Sequence, residues 1–334
     1  MIGLSRGSAR SPLPAGHGNV AAVGAGQLEV GISSLAIRDL LNGPRREGRI
    51  VAALRGVVLA EFPAAPQEPR VIAISAPDTI RLPNAIIVAG APAMATVAAP
   101  PASMTIADLI TQAAAVPGSG GRRRAPVVHA GGGCVRIGGL TVQARRWWDP
   151  SPVFGPLSRA RLDHGAAILG RVCAQADPGP ALAGHYAARN LAACCASGDL
   201  AGAVEHAELL VGLGPGIVPS GDGILCGMLL ALRLLGGTIP GGTRAVWLAG
   251  WLSAAVTSYA RQRTTPLAAT LLHCASRGQA AAEVSAVLHG VAGEEPVEAA
   301  ARKLLTTGTD GLAIADLAWG LVAGCRAAQV LSVS

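Results

Sequence analysis

The sequence predicts an α+β protein, with an N-terminal β-rich domain followed by a C-terminal, mainly helical domain. Three observations carry this expectation. Short β-branched runs bounded by glycine and proline fill residues 21–150, the break Asp149-Pro150-Ser151-Pro152 ends that texture, and helix-length apolar spacings follow over residues 151–334. Residues 1–20 have neither pattern and are expected to form a flexible N-terminus.

In chain order, a helix is expected near Leu35 to Leu41, then strands at Ile50–Leu54, Gly56–Leu59 and Val71–Ile74. Cys134–Ile137 and Leu140–Ala144, separated by Gly138-Gly139, read as a hairpin because two glycines supply the positive φ of a two-residue turn. The paired prolines after Asp149 stop strands and helices alike. Beyond them, helices are expected at Leu157–Cys173, Pro180–Cys195, Leu200–Gly212, Ser220–Leu235, Thr243–Arg263, Leu267–Arg277, Ala280–Val291, Pro296–Thr306 and Ala313–Ala328. Asp199 and Ser220 are expected caps, and an antiparallel bundle is the expected packing.

Of the 334 residues, 51% are hydrophobic and 3% aromatic, so the core is built from small and aliphatic side chains. A net charge of +7 invites a nucleic-acid reading, but the arginines at 45–46, 122–124 and 145–146 fit no binding motif and few aromatics are there to stack on bases. No nucleic-acid partner is expected. Seven cysteines form no Cys-x-x-Cys pair and suit free thiols in a reducing cytoplasm. Histidines are scattered without the i, i+4 pairing of a zinc helix, so neither a metal nor a cofactor is expected. The apolar stretch from Ala245 to Ala260 falls short of a membrane span, and no membrane partner is expected.

Gly212 to Gly223 interrupts two apolar helical runs with five glycines, two prolines, one hydroxyl (Ser220) and one carboxylate (Asp222). With Ser220 as N-cap, the free N–H groups and positive dipole end of the next helix would attract an anion. Gly214, Gly216 and Gly221 would let the backbone approach a ligand. The same composition also suits an ordinary connection between helices. Ile217 stands where a dinucleotide fingerprint needs glycine, a Gly-Lys-Ser/Thr phosphate loop is absent, and Val218 stands where a nucleophile elbow needs glycine.

This stretch resembles the signature Gly-Leu-Gly-Pro-Gly-Leu-Thr-Pro-Ser-Gly-Asp-Asp-Phe-Leu of the AllH-like family, matching it at Gly212 to Gly216, Pro219 to Asp222 and Leu225. Looser likeness extends from about residue 30 to the end, through Arg81-Leu82-Pro83-Asn84, Arg145 to Pro150, Gly308 to Gly311, Asp316 and Gly320. The resemblance implies a subunit of an oxamate carbamoyltransferase of allantoin catabolism, which converts oxalurate and phosphate to oxamate and carbamoyl phosphate with partner subunits. Departures stand at Gly223 in place of an aspartate, Val218 in place of a threonine, and Asp310-Gly311 in place of a serine-glycine pair.

Three further clusters could complete a site for a small carboxylate, carbamoyl or phosphate ligand. Arg261 and Arg263 offer guanidinium forks and Thr264 and Thr265 offer hydroxyls, although cationic capping and an N-cap explain them equally. Thr309, Asp310 and Gly311 open a second glycine-rich helix start, with Asp316 following among apolar neighbours. Asn84 could act across a domain cleft or merely form a turn. Asp222 and Ser220 are the expected catalytic pair, Asp222 being expected ionised with its pKa lowered by the helix dipole. The alternatives to a catalytic subunit are a non-catalytic binding or scaffold subunit and an unrelated enzyme acting on a carboxylate.

Overall fold

A computed structural model describes residues 27–54, 56–65, 68–89, 127–307 and 311–332. The expected flexible N-terminus, the arginine run at 122–124, Gly308, Thr309 and Asp310 lie outside these residues. The β-rich half is a closed eight-stranded barrel rather than an open sheet, in the order β1 (Gln27–Ser34), β5 (Ala85–Ala89), β4 (Val71–Ser75), β3 (Val57–Glu61), β2 (Arg46–Leu54), β6 (Val127–Gly131), β7 (Cys134–Ile137), β8 (Leu140–Trp148). Closure comes from parallel pairing of β8 with β1, Gln27 opposite Leu140 through Ser34 opposite Trp148, with one register shift after Gly31. The expected hairpin is present, Ile137 pairing Leu140 across Gly138 and Gly139. A 3-10 turn, Leu35–Ile37, runs into α1 (Arg38–Asn42), and Ile37, Leu40 and Leu41 join the barrel core.

Strands β3 and β4 are buried at every residue. Alternation explains this, because successive side chains point to opposite faces. Val58, Ala60, Ile72 and Ile74 fill the barrel, whereas Val57, Leu59, Val71 and Ala73 enter the core of the helical half. The seam is also hydrogen-bonded: Ala282 N–H donates to the Arg81 carbonyl at 3.0 Å, Arg81 N–H to Glu283 at 3.1 Å, and Ala280 N–H to the Pro150 carbonyl at 2.9 Å. The Arg81 guanidinium lies 5.9 Å from the centre of the Trp148 ring.

The helical half comprises α2 (Arg159–Ala174), α3 (Tyr186–Ser197), α4 (Leu200–Leu210), α5 (Ser220–Leu234), α6 (Thr243–Arg263), α7 (Pro266–Ser276), α8 (Ala282–Val291), α9 (Val297–Thr307) and α10 (Ile314–Leu331). Their ends follow local chemistry. Gly198 closes α3 at φ 76°, Asp199 caps α4 by accepting Gly202 N–H at 3.1 Å, and Thr265 caps α7 with Pro266 at the first helical position. Residues 180–185, expected as helix, form turns before α3. At the centre, α5 crosses α10 at backbone contact: a Cβ on Gly227 would overlap the Leu317 carbonyl oxygen, and one on Gly320 the Ile224 carbonyl oxygen. Among the described residues α10 is the one helix long and apolar enough to cross a membrane, and it lies packed in this core.

Candidate functional site

The glycine-rich loop connects α4 to α5. Gly212 leaves α4 at φ 76°, and a Cβ there would overlap the Arg263 carbonyl oxygen, so only glycine fits both demands. Its N–H donates to Asp222 Oδ1 at 3.1 Å. Asp222 Oδ2 accepts from the Thr264 hydroxyl. One carboxylate therefore ties the end of α4, the first turn of α5 and the end of α6 together, with no exposed surface of its own. Burial pushes its pKa up to about 6, and the hydrogen bonds from Thr264 and Gly212 offset only part of that shift. The lowered value expected from the helix dipole is thus reversed, because desolvation of the fully buried carboxyl outweighs the dipole.

Ser220 is likewise not the N-cap. Pro219 occupies that position, and Ser220 is the first helical residue, buried under Gly214, whose absent Cβ would lie 3.2 Å from Ser220 Cβ. The N–H of Gly221 is already occupied by the Leu213 carbonyl at 2.9 Å. Part of the expected anion-binding helix end is therefore closed by the loop itself. Gly221 serves packing instead, since a side chain there would run into the Leu210 carbonyl.

What the loop exposes is Gly214, Pro215 and Gly216. Two further segments support it. Thr265 donates its hydroxyl to the Ile217 carbonyl, and Val218 N–H donates to the Gly311 carbonyl at 2.8 Å. Gly311 is exposed beside Gly216. Ala313, the one described non-glycine residue at positive φ (48°), follows after Leu312 and caps α10. Its carbonyl oxygen sits 2.9 Å from where a Cβ on Gly223 would be, so the family's aspartate at that position has no room here.

The structure thus brings Asp222, Ser220, Gly214, Gly216, Gly221, Thr264, Thr265 and Gly311 together. Other expected residues are engaged elsewhere. Arg261 points to the barrel and donates to the Ala64 carbonyl at 3.1 Å, while Arg263 is exposed at the end of α6. Asp316 accepts Leu182 N–H at 2.9 Å, clasping the turn before α3. Asn84 lies in the turn that leads into β5, the simpler of its two expected roles, and its amide donates to the Val71 carbonyl at 2.9 Å. Sequence reasoning missed the contribution of backbone groups: the Gly212 N–H, bound within the loop by Asp222, and the Ile217 carbonyl, whose partner Thr265 lies far along the chain. Behind the loop, Val218, Gly223, Cys226, Gln279 and Leu312 border an apolar cavity of about 40 Å³, room for a few waters. Among the described residues no cluster of three or more His, Cys, Asp or Glu could hold a metal ion.

Residues 210–325 match the family described as oxamate carbamoyltransferase subunit AllH. This segment is AllH-like. It begins at the last residue of α4 and runs into α10, so it contains the loop, Asp222, Thr264, Thr265 and Gly311, while the barrel lies outside it. The AllH-like segment coincides with the elements that meet at the loop, which agrees with the likeness first seen in Gly212 to Asp222. No curated protein and no solved structure matches the chain.

Proposed function

We propose that the chain is a subunit of a carbamoyltransferase acting on oxalurate or a related N-carbamoyl carboxylate, working with partner subunits. The observation that carries this reading is the convergence of three segments of the AllH-like region on one buried carboxylate, Asp222, which shapes an exposed glycine backbone. In the reaction, a phosphate oxygen bonds to the carbamoyl carbon, the bond from that carbon to the oxalurate nitrogen breaks, and the proton released by phosphate passes to the departing oxamate nitrogen.

In this reading the ligand lies against Gly214 to Gly216 and Gly311, where backbone N–H groups can hold developing negative charge. Asp222 is a positioning residue, fixing Gly212 and Thr264, because both its oxygens are already engaged. A second reading, a ligand-binding or scaffold subunit without catalysis of its own, is favoured by the closed space at Gly223, which leaves one carboxylate where the family signature carries two.

Thermal-shift titration with oxalurate, oxamate, carbamoyl phosphate and phosphate tests the site, since a ligand that binds the folded state raises its melting temperature. A shift abolished by Gly216→Val, whose side chain would crowd Gly311, is expected. No shift with any of the four, alone or with the partner subunits, overturns the proposal. A shift without carbamoyl transfer in the assembled complex selects the second reading.

A further inference from the structure

The cavity behind the loop combines hydrocarbon with one uncompensated polar atom. Among the described residues that line it, Gln279 and Cys226 alone carry a heteroatom in the side chain, and the others offer hydrocarbon or, at Gly223, no side chain. Gln279 Oε1 is buried and has no hydrogen-bond partner. The backbone there is pinned on both sides, Gln279 N–H donating to the Cys274 carbonyl and Ala280 N–H to the Pro150 carbonyl, each at 2.9 Å. A buried acceptor left unmatched destabilises the fold until something in the cavity donates to it. Water suits that role poorly. A buried water makes about three hydrogen bonds, and beside Gln279 the lining side chains add only a weakly bonding thiol.

The cavity also adjoins the exposed backbone of the loop. Val218 and Leu312 line it, Val218 N–H is bonded to the Gly311 carbonyl, and exposed Gly216 and Gly311 precede them by two residues and one residue. Leu271, Gln279, Ile314 and Leu317 are half-buried, which puts the mouth of the cavity on their side. Given the carbamoyltransferase reading, on which this step rests, we propose that the cavity receives the substrate's side chain and that the substrates are N-carbamoyl α-amino acids with small aliphatic side chains. Such a molecule has a carboxylate for the glycine backbone, hydrocarbon for the cavity, and a ureido N–H next to the side chain for Gln279 Oε1. Oxalurate carries a carbonyl where the side chain would be and leaves the cavity unfilled. A volume of about 40 Å³ takes roughly three water-sized groups, which admits an isopropyl group and excludes a phenyl ring. Val218 and Gly223, the loop positions that depart from the AllH-like signature, both border the cavity, and Ile80, Leu82 and Pro83 close it from the barrel half. In the transfer, a phosphate oxygen bonds to the carbamoyl carbon and the bond from that carbon to the α-nitrogen breaks. The phosphate proton passes to that nitrogen, giving the free amino acid and carbamoyl phosphate.

Isothermal titration of the full chain with oxalurate and with N-carbamoyl derivatives of glycine, alanine, valine and phenylalanine tests this. Affinity should rise about fourfold for each side-chain carbon from glycine to valine, the transfer value of a buried CH2, and collapse for phenylalanine. Ala275→Leu, which fills the cavity from α7, should level the series at the glycine value without weakening oxalurate. Gln279→Leu should raise the melting temperature of the unliganded protein yet weaken the alanine and valine derivatives about tenfold, opposite changes that a packing role alone would not produce. Should Ala275→Leu not fold, the series on the parent protein and Gln279→Leu decide. Affinities that stay flat or fall from glycine to valine while oxalurate binds overturn this inference and leave the carbamoyltransferase reading standing. A side-chain preference that survives Ala275→Leu also overturns it. Failure of every compound, oxalurate included, alone or with the partner subunits, overturns both.

Discussion

Asp222 carries two jobs that pull against each other. Its ionised form accepts the strongest hydrogen bonds from Gly212 and Thr264, while its complete burial disfavours that charge. With a folded pKa of about 6 against an ordinary 3.8, the proton is bound more tightly in the folded state. The stability contributed by this group is therefore fully present below about pH 4 and lost as pH rises through 6, a loss of about 3 kcal/mol when complete. Urea unfolding from pH 4 to 8 should record that decline in the parent protein and a flatter profile in Asp222→Asn; identical profiles would refute it. Thr264→Val leaves one oxygen of a fully buried carboxylate without its partner and should cost about 2 kcal/mol. Gly212→Ala adds left-handed strain to overlap with the Arg263 carbonyl and should cost at least about 2 kcal/mol, read as a fall in melting temperature. Asp222 and Thr264 were each visible as polar residues at helix ends. Their contact was not, because no periodicity reports a hydrogen bond between residues so far apart in sequence.

The helices were legible because each carries its own signals. Asp199 and Thr265 cap, Gly198 stops, and Pro266 starts. Strands β1, β5 and β6 were not. Gln27–Ser34 does alternate, but its apolar Leu28 and Val30 lie on the exposed side while Gly31 and Ser33 are buried, so the pattern does not report the core face; the apolar run Ala85–Ala89 reads equally as buried helix. Ser220 misled because a hydroxyl before an apolar run looks like a cap, whereas Pro219 with its fixed φ takes the position. The α5–α10 crossing gives a sharper test at this scale. Gly320→Ala, forced against the Ile224 carbonyl, should lower stability by about 3 kcal/mol. Gly170→Ala on α2, whose nearest neighbours are 3.6 and 3.7 Å away, should instead raise it by about 0.5 to 1 kcal/mol. Thermal unfolding of both variants would show opposite signs, and equal effects would contradict the close helix approach.

For the whole molecule, the expected α+β class was correct, but barrel closure depends on β1 meeting β8, a pairing from Gln27 to Trp148 that composition cannot reveal. Two-faced burial of β3 and β4 makes the barrel wall part of the helical core. Calorimetry should accordingly record one cooperative transition, with calorimetric and van't Hoff enthalpies equal. Leu59→Ala, facing the helices, and Ile74→Ala, facing the barrel interior, should each lower that single transition, by about 2 to 4 kcal/mol. Two separate transitions, each moved by one variant, would contradict the shared wall.

That shared wall also imposes an order in time. A nascent chain emerges from its N-terminus, so β1 waits for β8 before the barrel can close, and Val57, Leu59, Val71 and Ala73 remain uncovered until the helices follow. During synthesis the half-made protein therefore presents an apolar strip on adjacent strands. The helical half acts as an intramolecular shield for the barrel, and any stall between the two halves leaves the strip free to associate with other chains.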